Sequence, residues 1–206
     1  MTATRWPAIG GMVGPAAFIG AWVTGAFLSD DLSPVDDAIS RLAAVGADTQ
    51  SLMTAGFVIF GAALPFYAAS LRPRVPGAAW VSAAATGLCT LGVALTPLDR
   101  SSMIDKAHAV FAGLGYATLA ATPLLAARPL SRMGRRGLAR SGVIAGTVSG
   151  VSLLLSLTGL PAGLFQRIGL TASDAWIMAS ALAIASGRLR PRDTDGLLDA
   201  PQLDAQ

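Results

Sequence analysis

The chain has 206 residues, of which 53% are hydrophobic and only 13% are charged, and its formal net charge is +3. Soluble domains carry about 25% charged residues, so this composition excludes an ordinary soluble enzyme and a disordered protein. A single cysteine, Cys89, excludes a disulfide scaffold. With only one histidine, His108, there are too few ligands of these types for a zinc site, and we expect no metal. The composition predicts an all-α, polytopic membrane bundle.

Six segments are apolar and close to the length of about 20 residues that a membrane-crossing helix requires. The predicted spans are residues 6–28, 51–71, 75–98, 106–127 and 141–160, and a sixth that begins near Phe165 or near Thr171 and ends at Gly187. The first is interpreted as a retained helix rather than a signal peptide, because its apolar run is long. We predict one domain, residues 1–190, followed by a disordered cytoplasmic tail, residues 191–206.

Glycines along the first and fifth spans predict close helix packing, since small residues let helix backbones approach each other in lipid. The predicted contact positions are Gly10, Gly11, Gly14, Gly20 and Gly25 in the first span and Gly142, Gly146 and Gly150 in the fifth.

Arginine and lysine divide unequally between the two sides of the predicted bundle. One side carries eleven: Arg5, Arg72, Arg74, Arg128, Arg132, Arg135, Arg136, Arg140, Arg188, Arg190 and Arg192. The other carries four: Arg41, Arg100, Lys106 and Arg167. The positive-inside rule therefore places both termini in the cytoplasm and predicts a multi-pass protein of the cell membrane. The basic segment 128–140 has no interleaved aromatic residues, so we expect contact with anionic lipids there, and no nucleic acid.

The first outer loop has the pattern of a short amphipathic helix. Ser33, Pro34 and Asp36 are typical of the N-cap and of the first and third helical positions. Gly46 is typical of a helix end, so the helix would run to about residue 45. Its apolar residues share one face, which would lie in the interface or the mouth of the bundle, and Asp37 is placed to pair with Arg41. Three of its polar side chains are candidates for binding substrate: Asp36, Asp37 and Ser40.

Two further groups of polar residues are predicted near or within the membrane. Asp105 and His108 are three positions apart and share a helix face, so the carboxylate is placed to hold the imidazole as an acid–base pair; a structural hydrogen bond between helices explains the spacing equally well. Asp174 would lie roughly 13 Å along a sixth helix that begins near Phe165. An unpaired carboxylate is costly to bury at that depth, which makes Asp174 a candidate proton donor. If that helix begins at Thr171, Asp174 is an ordinary N-terminal residue.

Several short stretches resemble a known family. They are Leu32-Ser33-Pro34, Ile39-Ser40-Arg41-Leu42, Asp99, His108 and Gly163-Leu164-Phe165-Gln166-Arg167. They are similar to the bacterial and archaeal six-span family catalogued as domain of unknown function nine-nine-eight, which is distantly related to Frag/DRAM/Sfk-like membrane proteins. The resemblance covers nearly the whole chain and implies a six-helix bundle with a polar outer site, but no established reaction. Asp37 departs from the more basic or aromatic loop residue expected there.

The first functional hypothesis is a cofactor-free membrane enzyme that uses Asp acid–base chemistry on an isoprenoid, such as a terpene cyclase or isomerase. Asp174 would be the acid, with Asp105 and His108 as partners. Substrate would be held by Arg167, Gln166, Asp36, Asp37, Ser40, Trp176, Tyr116 and Asp99. Aromatic residues would line the pocket, although ordinary packing also explains them: Trp22, Phe57, Tyr67, Trp80, Phe111, Tyr116 and Trp176.

Two other hypotheses need no catalysis. A lipid-binding or envelope-assisting protein would use Arg167 to hold a phosphate-bearing head group. A small transporter is the third; six spans are few for one protomer, so it would act as a homo-oligomer.

Overall fold

The computed structural model describes residues 5–191, and this part of the chain folds into six α-helices without strands. They are α1 (Gly10–Leu28), α2 (Gln50–Leu71), α3 (Ala79–Leu95), α4 (Ser102–Arg132), α5 (Arg136–Leu155) and α6 (Ala162–Ala185). Short 3₁₀ helices lie before α1, at Trp6–Ile9, and in the following loop, at Ile39–Ala43. The all-α class and the count of six helices are confirmed. The predicted tail, residues 191–206, lies outside the described residues from position 192 onward.

The helices form a closed ring. Each packs against the next one in the chain, and α6 returns to pack against α1. α6 also contacts α2 and α4, so it is the most central helix, and its apolar stretch is more buried than that of any other spanning helix.

Five of the six helices are long and apolar enough to cross a membrane, and α3 is a shorter apolar helix of 17 residues. Large apolar side chains remain exposed around the outside of the bundle, as lipid contact requires. Examples inside the helices are Val58, Val110, Ile144 and Ile168. The chain is therefore a multi-pass membrane protein.

The helix bounds differ from the predicted spans mainly where polar residues continue a helix. α4 begins at Ser102, because Ser101 caps it by accepting a hydrogen bond from the Ile104 N–H at 3.3 Å, and it has 31 residues. α5 begins at Arg136 rather than near residue 141, since arginine is a good helix former that an apolar window does not count. α6 begins at Ala162, which rules out the start at Thr171.

Glycine permits close contacts between helices at some of the predicted positions. A Cβ at Gly11 would lie 2.5 Å from the Tyr67 ring, and one at Gly146 would lie 2.5 Å from the Leu124 side chain. Gly20 and Gly150 face open space instead, so the prediction of contacts there was wrong. The glycines spaced four residues apart in α5 therefore mark a close-packed face at Gly142 and Gly146, but not at Gly150.

Charge distinguishes the two ends of the bundle. The Asp-rich end comprises the α1–α2, α3–α4 and α5–α6 loops with the start of α4, and carries Asp30, Asp31, Asp36, Asp37, Asp48, Asp99 and Asp105. The Arg-rich end is the opposite one and carries Arg5, Arg72, Arg74, Arg128, Arg132, Arg135, Arg136, Arg140, Arg188 and Arg190. Within residues 5–191, Asp174 is the one acidic residue away from the Asp-rich end.

Candidate functional site

The loop between α1 and α2 folds over the Asp-rich end as a turn followed by a 3₁₀ helix. Ser33 Oγ accepts a hydrogen bond from the Asp36 N–H at 3.2 Å, which is the bond predicted for a helix cap, but here it closes a turn and no helix follows it directly. The amphipathic helix over residues 33–45 is nevertheless wrong: Ala38 is extended, and only Ile39–Ala43 is helical, as a 3₁₀ turn. Its buried face includes Ile39 and Leu42, which are nearly inaccessible and face into the bundle.

The loop does not continue as an α-helix because its carbonyl groups bond to α6 instead. The Leu164 N–H donates to the Val35 carbonyl at 2.7 Å, and the Gly163 N–H donates to the Asp36 carbonyl at 3.3 Å. These two N–H groups belong to the first turn of α6, where no partner exists within the helix itself. The loop therefore caps α6 and fixes its start at Ala162.

Gln166 and Arg167 hold the same loop from the side of α6. Gln166 Oε1 accepts a hydrogen bond from the Ile39 N–H at 3.1 Å. Arg167 Nη1 donates to the Asp37 carbonyl at 2.9 Å, and its guanidinium lies 5.5 Å from the centre of the Trp22 ring. Both residues were predicted to bind substrate, and the structure gives each a contact with the loop.

Arg41 joins the loop to the α3–α4 connection. Its Nη1 lies 2.9 Å from Asp99 Oδ2 and 3.1 Å from Oδ1. The predicted pairing of Arg41 with Asp37 was therefore wrong, because the turn directs Asp37 Oδ2 to the Ser33 N–H at 2.8 Å. Asp36 is exposed and bonds to the Ser33 hydroxyl. The side chains of Asp36 and Asp37 therefore stabilise the turn within their own loop.

Asp105 and His108 bond to different backbone groups rather than to each other. Asp105 Oδ1 accepts a hydrogen bond from the Asp99 N–H at 3.0 Å. This bond supports Asp99, whose φ of 65° is rare for a non-glycine residue. His108 Nδ1 lies 2.6 Å from the Thr96 carbonyl oxygen, and no carboxylate of the described chain bonds to the ring. The structure thus separates the expected acid–base pair.

Beneath the loop lies a cavity of about 70 Å³, which we call the mouth pocket. Its walls come from α1, α2, α3, α4 and α6. The polar lining is Ser40, Thr86, Thr90, His108 and Gln166, and the aromatic lining is Phe18, Phe57, Phe60, Phe111 and Tyr116. Four of the predicted site residues therefore meet here: Ser40, His108, Tyr116 and Gln166.

His108 is the chemically distinctive group of the mouth pocket. Its side chain is 4% exposed, and Nε2 is buried without a hydrogen-bond partner in the described chain. Because the Thr96 carbonyl can only accept, Nδ1 carries the proton that it donates. In the neutral ring Nε2 then holds a lone pair. By contrast, the Thr86 and Thr90 hydroxyls already donate to carbonyls of α3.

Asp174 lies at the centre of the bundle but outside the pocket lining. It is the thirteenth residue of α6, about 18 Å along the helix from its start, and the side chain is fully buried. This fits the deeper of the two predicted placements. Neither carboxylate oxygen has a hydrogen-bond partner among the described residues. Leu170, one turn nearer the Asp-rich end, lines the pocket, whereas Asp174 does not.

The aromatic residues were predicted only in part. Phe57, Phe111 and Tyr116 line the mouth pocket, whereas Trp176 donates from Nε1 to the Leu138 carbonyl of α5 at 3.0 Å. Three others have contacts elsewhere: Trp22 with Arg167, Trp80 with Arg72 and Tyr67 with Ser180.

Sequence reasoning missed Phe18 and Phe60 in α1 and α2 and the two threonines of α3. Helical spacing was the available signal: Phe57 and Phe60 are three apart, and Thr86 and Thr90 are four apart, so each pair shares a face. Within residues 5–191, no group of three or more His, Cys or Asp side chains is placed to hold a metal ion.

Comparison with known proteins identifies the family and nothing more specific. No curated protein and no solved structure matches this chain. A family model described as "Protein of unknown function (DUF998)" matches residues 12–183, a range that begins in α1, ends in α6 and contains the whole mouth pocket. The chain belongs to this family of proteins of unknown function, DUF998.

Proposed function

We propose that the protein binds a lipid-soluble small molecule in the mouth pocket, with His108 as the residue that recognises its polar group. The observation that carries the proposal is the buried, unpartnered Nε2 of His108 in the pocket lining. Because this atom has no partner in the described chain and borders the cavity, a polar group that enters the pocket can form a hydrogen bond with it. The arginine distribution supports the cell membrane as location, with both termini and the Arg-rich end in the cytoplasm.

The lining indicates the chemistry of the ligand. The lone pair on His108 Nε2 requires a hydrogen-bond donor, such as a hydroxyl group. Gln166 already uses its carbonyl oxygen for the Ile39 N–H, so its NH₂ group is the part left to donate. A hydroxyl group both donates and accepts, and thus complements both side chains. The aromatic lining favours an unsaturated apolar remainder, as in a prenyl alcohol.

The size of the pocket limits what it takes without rearrangement. A cavity of about 70 Å³ holds on the order of five water molecules. The hydroxyl group and the first few carbons of a ligand fit this volume. A ligand with a longer hydrocarbon chain fits only if the loop over the pocket shifts. Gln166, Arg167 and Arg41 hold that loop in place.

The test is binding of prenyl alcohols to the purified protein in nanodiscs. We expect saturable binding of 3-methylbut-2-en-1-ol, geraniol or farnesol, and about tenfold weaker binding of the corresponding methyl ether, which cannot donate. His108→Leu should weaken alcohol binding by about the same factor, because it removes the acceptor. Thr90→Val is the matched control, because the Thr90 proton is already donated to the Thr86 carbonyl and only the acceptor capacity of its oxygen is lost, so this variant should lose less affinity for the alcohol than His108→Leu does. Equal binding of alcohol and ether, absence of saturable binding, or an unchanged affinity in His108→Leu contradicts the proposal.

A second candidate function is acid–base catalysis on the same ligand, as in a cofactor-free isoprenoid isomerase or cyclase. The lone pair of His108 Nε2 at the pocket wall favours it, since a positioned neutral imidazole is a general base. Asp174 is less well placed, because it does not line the cavity. Membranes containing the protein would be incubated with prenylated and epoxidised isoprenoids, and the extracts compared by mass spectrometry. A product lost in His108→Gln but kept in Asp174→Asn supports catalysis by His108, and the reverse supports Asp174.

A further inference from the structure

A second cavity lies far from the mouth pocket, at the Arg-rich end. It is a groove of about 540 Å³ between the last turns of α4 and the first turns of α5. Arg128, Arg136 and Arg140 line it, together with Ser131. We propose that this groove is a binding site for an anionic phospholipid, with the three arginines on its phosphate and an acyl chain along its apolar part. The inference is independent of the proposed function.

Polarity changes along the groove in the direction that a phospholipid requires. Arg128 lies four residues from the end of α4, about 6 Å along the axis, and Arg136 is the first residue of α5. Leu124 and Val143, whose side chains are also exposed, line the part farther from the helix ends, about 12 Å and 10 Å along the respective axes. The charged part of the groove is thus at the helix ends, and the apolar part continues from it toward the middle of the membrane.

The length of α4 places the arginines at head-group level. Its 31 residues span about 46 Å, whereas the hydrocarbon core is about 30 Å thick and the bilayer with head groups about 40–45 Å. Because α4 exceeds the core, its terminal turns extend into the head-group layer. Guanidinium groups there match phosphate oxygens in geometry as well as charge.

The groove arginines have no competing carboxylate in the described chain. All Asp residues of positions 5–191 lie at the Asp-rich end except Asp174, which is buried within the bundle. The salt bridge found in this part of the chain, Arg41 with Asp99, is also at the opposite end. Arg128, Arg136 and Arg140 are exposed, so an anion from outside the protein can reach all three.

Native mass spectrometry of the full chain, purified from nanodiscs with equal phosphatidylglycerol and phosphatidylcholine, tests the site. We expect selective retention of phosphatidylglycerol. The groove variant Arg128→Gln/Arg136→Gln/Arg140→Gln should weaken that retention on the order of a hundredfold, since each arginine near an anionic surface strengthens binding about fivefold. The matched control is Arg132→Gln/Arg135→Gln/Arg190→Gln, which removes the same charge from the same end without touching the groove lining. It should retain the lipid.

Three results would overturn the assignment: no preference for phosphatidylglycerol in the unmodified protein, an unchanged preference in the groove variant, or an equal loss in the control. The last result would mean that the charge of the Arg-rich end acts diffusely. If the triple variant does not fold, the single variant Arg140→Gln serves as the test. It should weaken retention of phosphatidylglycerol about fivefold, whereas Arg132→Gln should leave it unchanged. Neither prenyl alcohol binding nor its dependence on His108 should change in any of these variants.

Discussion

The two ends of the bundle are held together in different ways. At the Asp-rich end, a loop is held over a cavity by hydrogen bonds to the side chains of Gln166 and Arg167 and to the first turn of α6. At the Arg-rich end, apolar side chains fill the interior, and Tyr67, Leu71 and Ile184 are completely buried. The comparison concerns the interior of the bundle: directional contacts leave space beneath the loop, whereas close packing leaves none inside the Arg-rich end, where the groove between α4 and α5 lies on the outer surface.

The Arg-rich end also buries a charged side chain within its packing. Arg74, in the α2–α3 loop, is 1% exposed, and its Nη1 donates to the Ser70 carbonyl at 2.7 Å. Burial lowers the pKa of Arg74, and the positive charge of Arg5 acts in the same direction.

The largest effect should come from a substitution that separates the loop from α6. A Cβ at Gly163 would overlap the Asp37 carbonyl oxygen and lie 2.8 Å from that of Pro34. Gly163→Val should therefore lower the free energy of unfolding in detergent by about 3 kcal/mol, because the backbone has to move. Gly150→Val is the matched control, since Gly150 meets no atom within 4 Å. Equal losses in the two variants would show that the loop contact contributes nothing specific.

Packing at the Arg-rich end should be nearly as sensitive. In Gly11→Ala, the new Cβ would lie 2.5 Å from the Tyr67 ring and 2.8 Å from the Ala181 Cβ. We expect a loss of about 2 kcal/mol in the same unfolding measurement. Gly20→Ala in the same helix meets open space and should be neutral or stabilising by about 0.5 kcal/mol, because alanine favours the helix. An unaffected Gly11→Ala variant would mean that this end is loosely packed.

Replacing Asp174 should change the free energy of unfolding by a smaller amount, and should raise it instead of lowering it. Its buried carboxyl group lacks a partner in the described chain, and an unpaired acidic group costs more to bury than an amide of the same size. Asp174→Asn should therefore raise the free energy of unfolding by about 1 kcal/mol, while Asp48→Asn, at an exposed position, should leave it unchanged. Destabilisation by Asp174→Asn would instead indicate that a ligand or a hydrogen-bonding group reaches the carboxylate.

The smallest effect should come from the salt bridge at the Asp-rich end. Arg41 and Asp99 are 44% and 48% exposed, and exposed pairs contribute about 0.2–1 kcal/mol. A double-mutant cycle of Arg41→Gln and Asp99→Asn should give a coupling energy in that range, and the coupling should decrease as salt is added. A coupling energy well above 1 kcal/mol would mean that this pair, rather than the contacts with α6, holds the loop in place.

The spans were predictable because membrane crossing imposes a length and a polarity on each helix separately. The residues of the first loop were recognised, and Ser33 does cap a turn, but the loop leaves the helical path at Ala38. Its carbonyls bond to Gly163 and Leu164, which lie more than 120 positions away in the chain. Local propensity does not include such a partner, so the helix over residues 33–45 was a wrong prediction.

The candidate site was predictable in the identity of its polar residues but not in their pairing. His108, Gln166, Ser40 and Tyr116 were identified because polar groups in an apolar chain are rare. Asp105, expected beside His108, bonds instead to the backbone of Asp99. Residues that share a helix face can contact each other, but here each finds another partner. Asp105 accepts a hydrogen bond from the Asp99 N–H in the α3–α4 turn, and His108 donates one to the Thr96 carbonyl.

The sequence by itself determined that this is a six-helix membrane protein of the DUF998 family, with acidic loops at one end and arginines at the other. These properties depend on composition and on the period of a single helix, which the lipid environment constrains directly. Only the tertiary structure decided that α6 begins at Ala162, that Arg167 holds a loop and that His108 Nε2 is left without a partner at a cavity. Each of these depends on which groups from distant segments meet, and the hydrogen bonds they form with one another fix the arrangement.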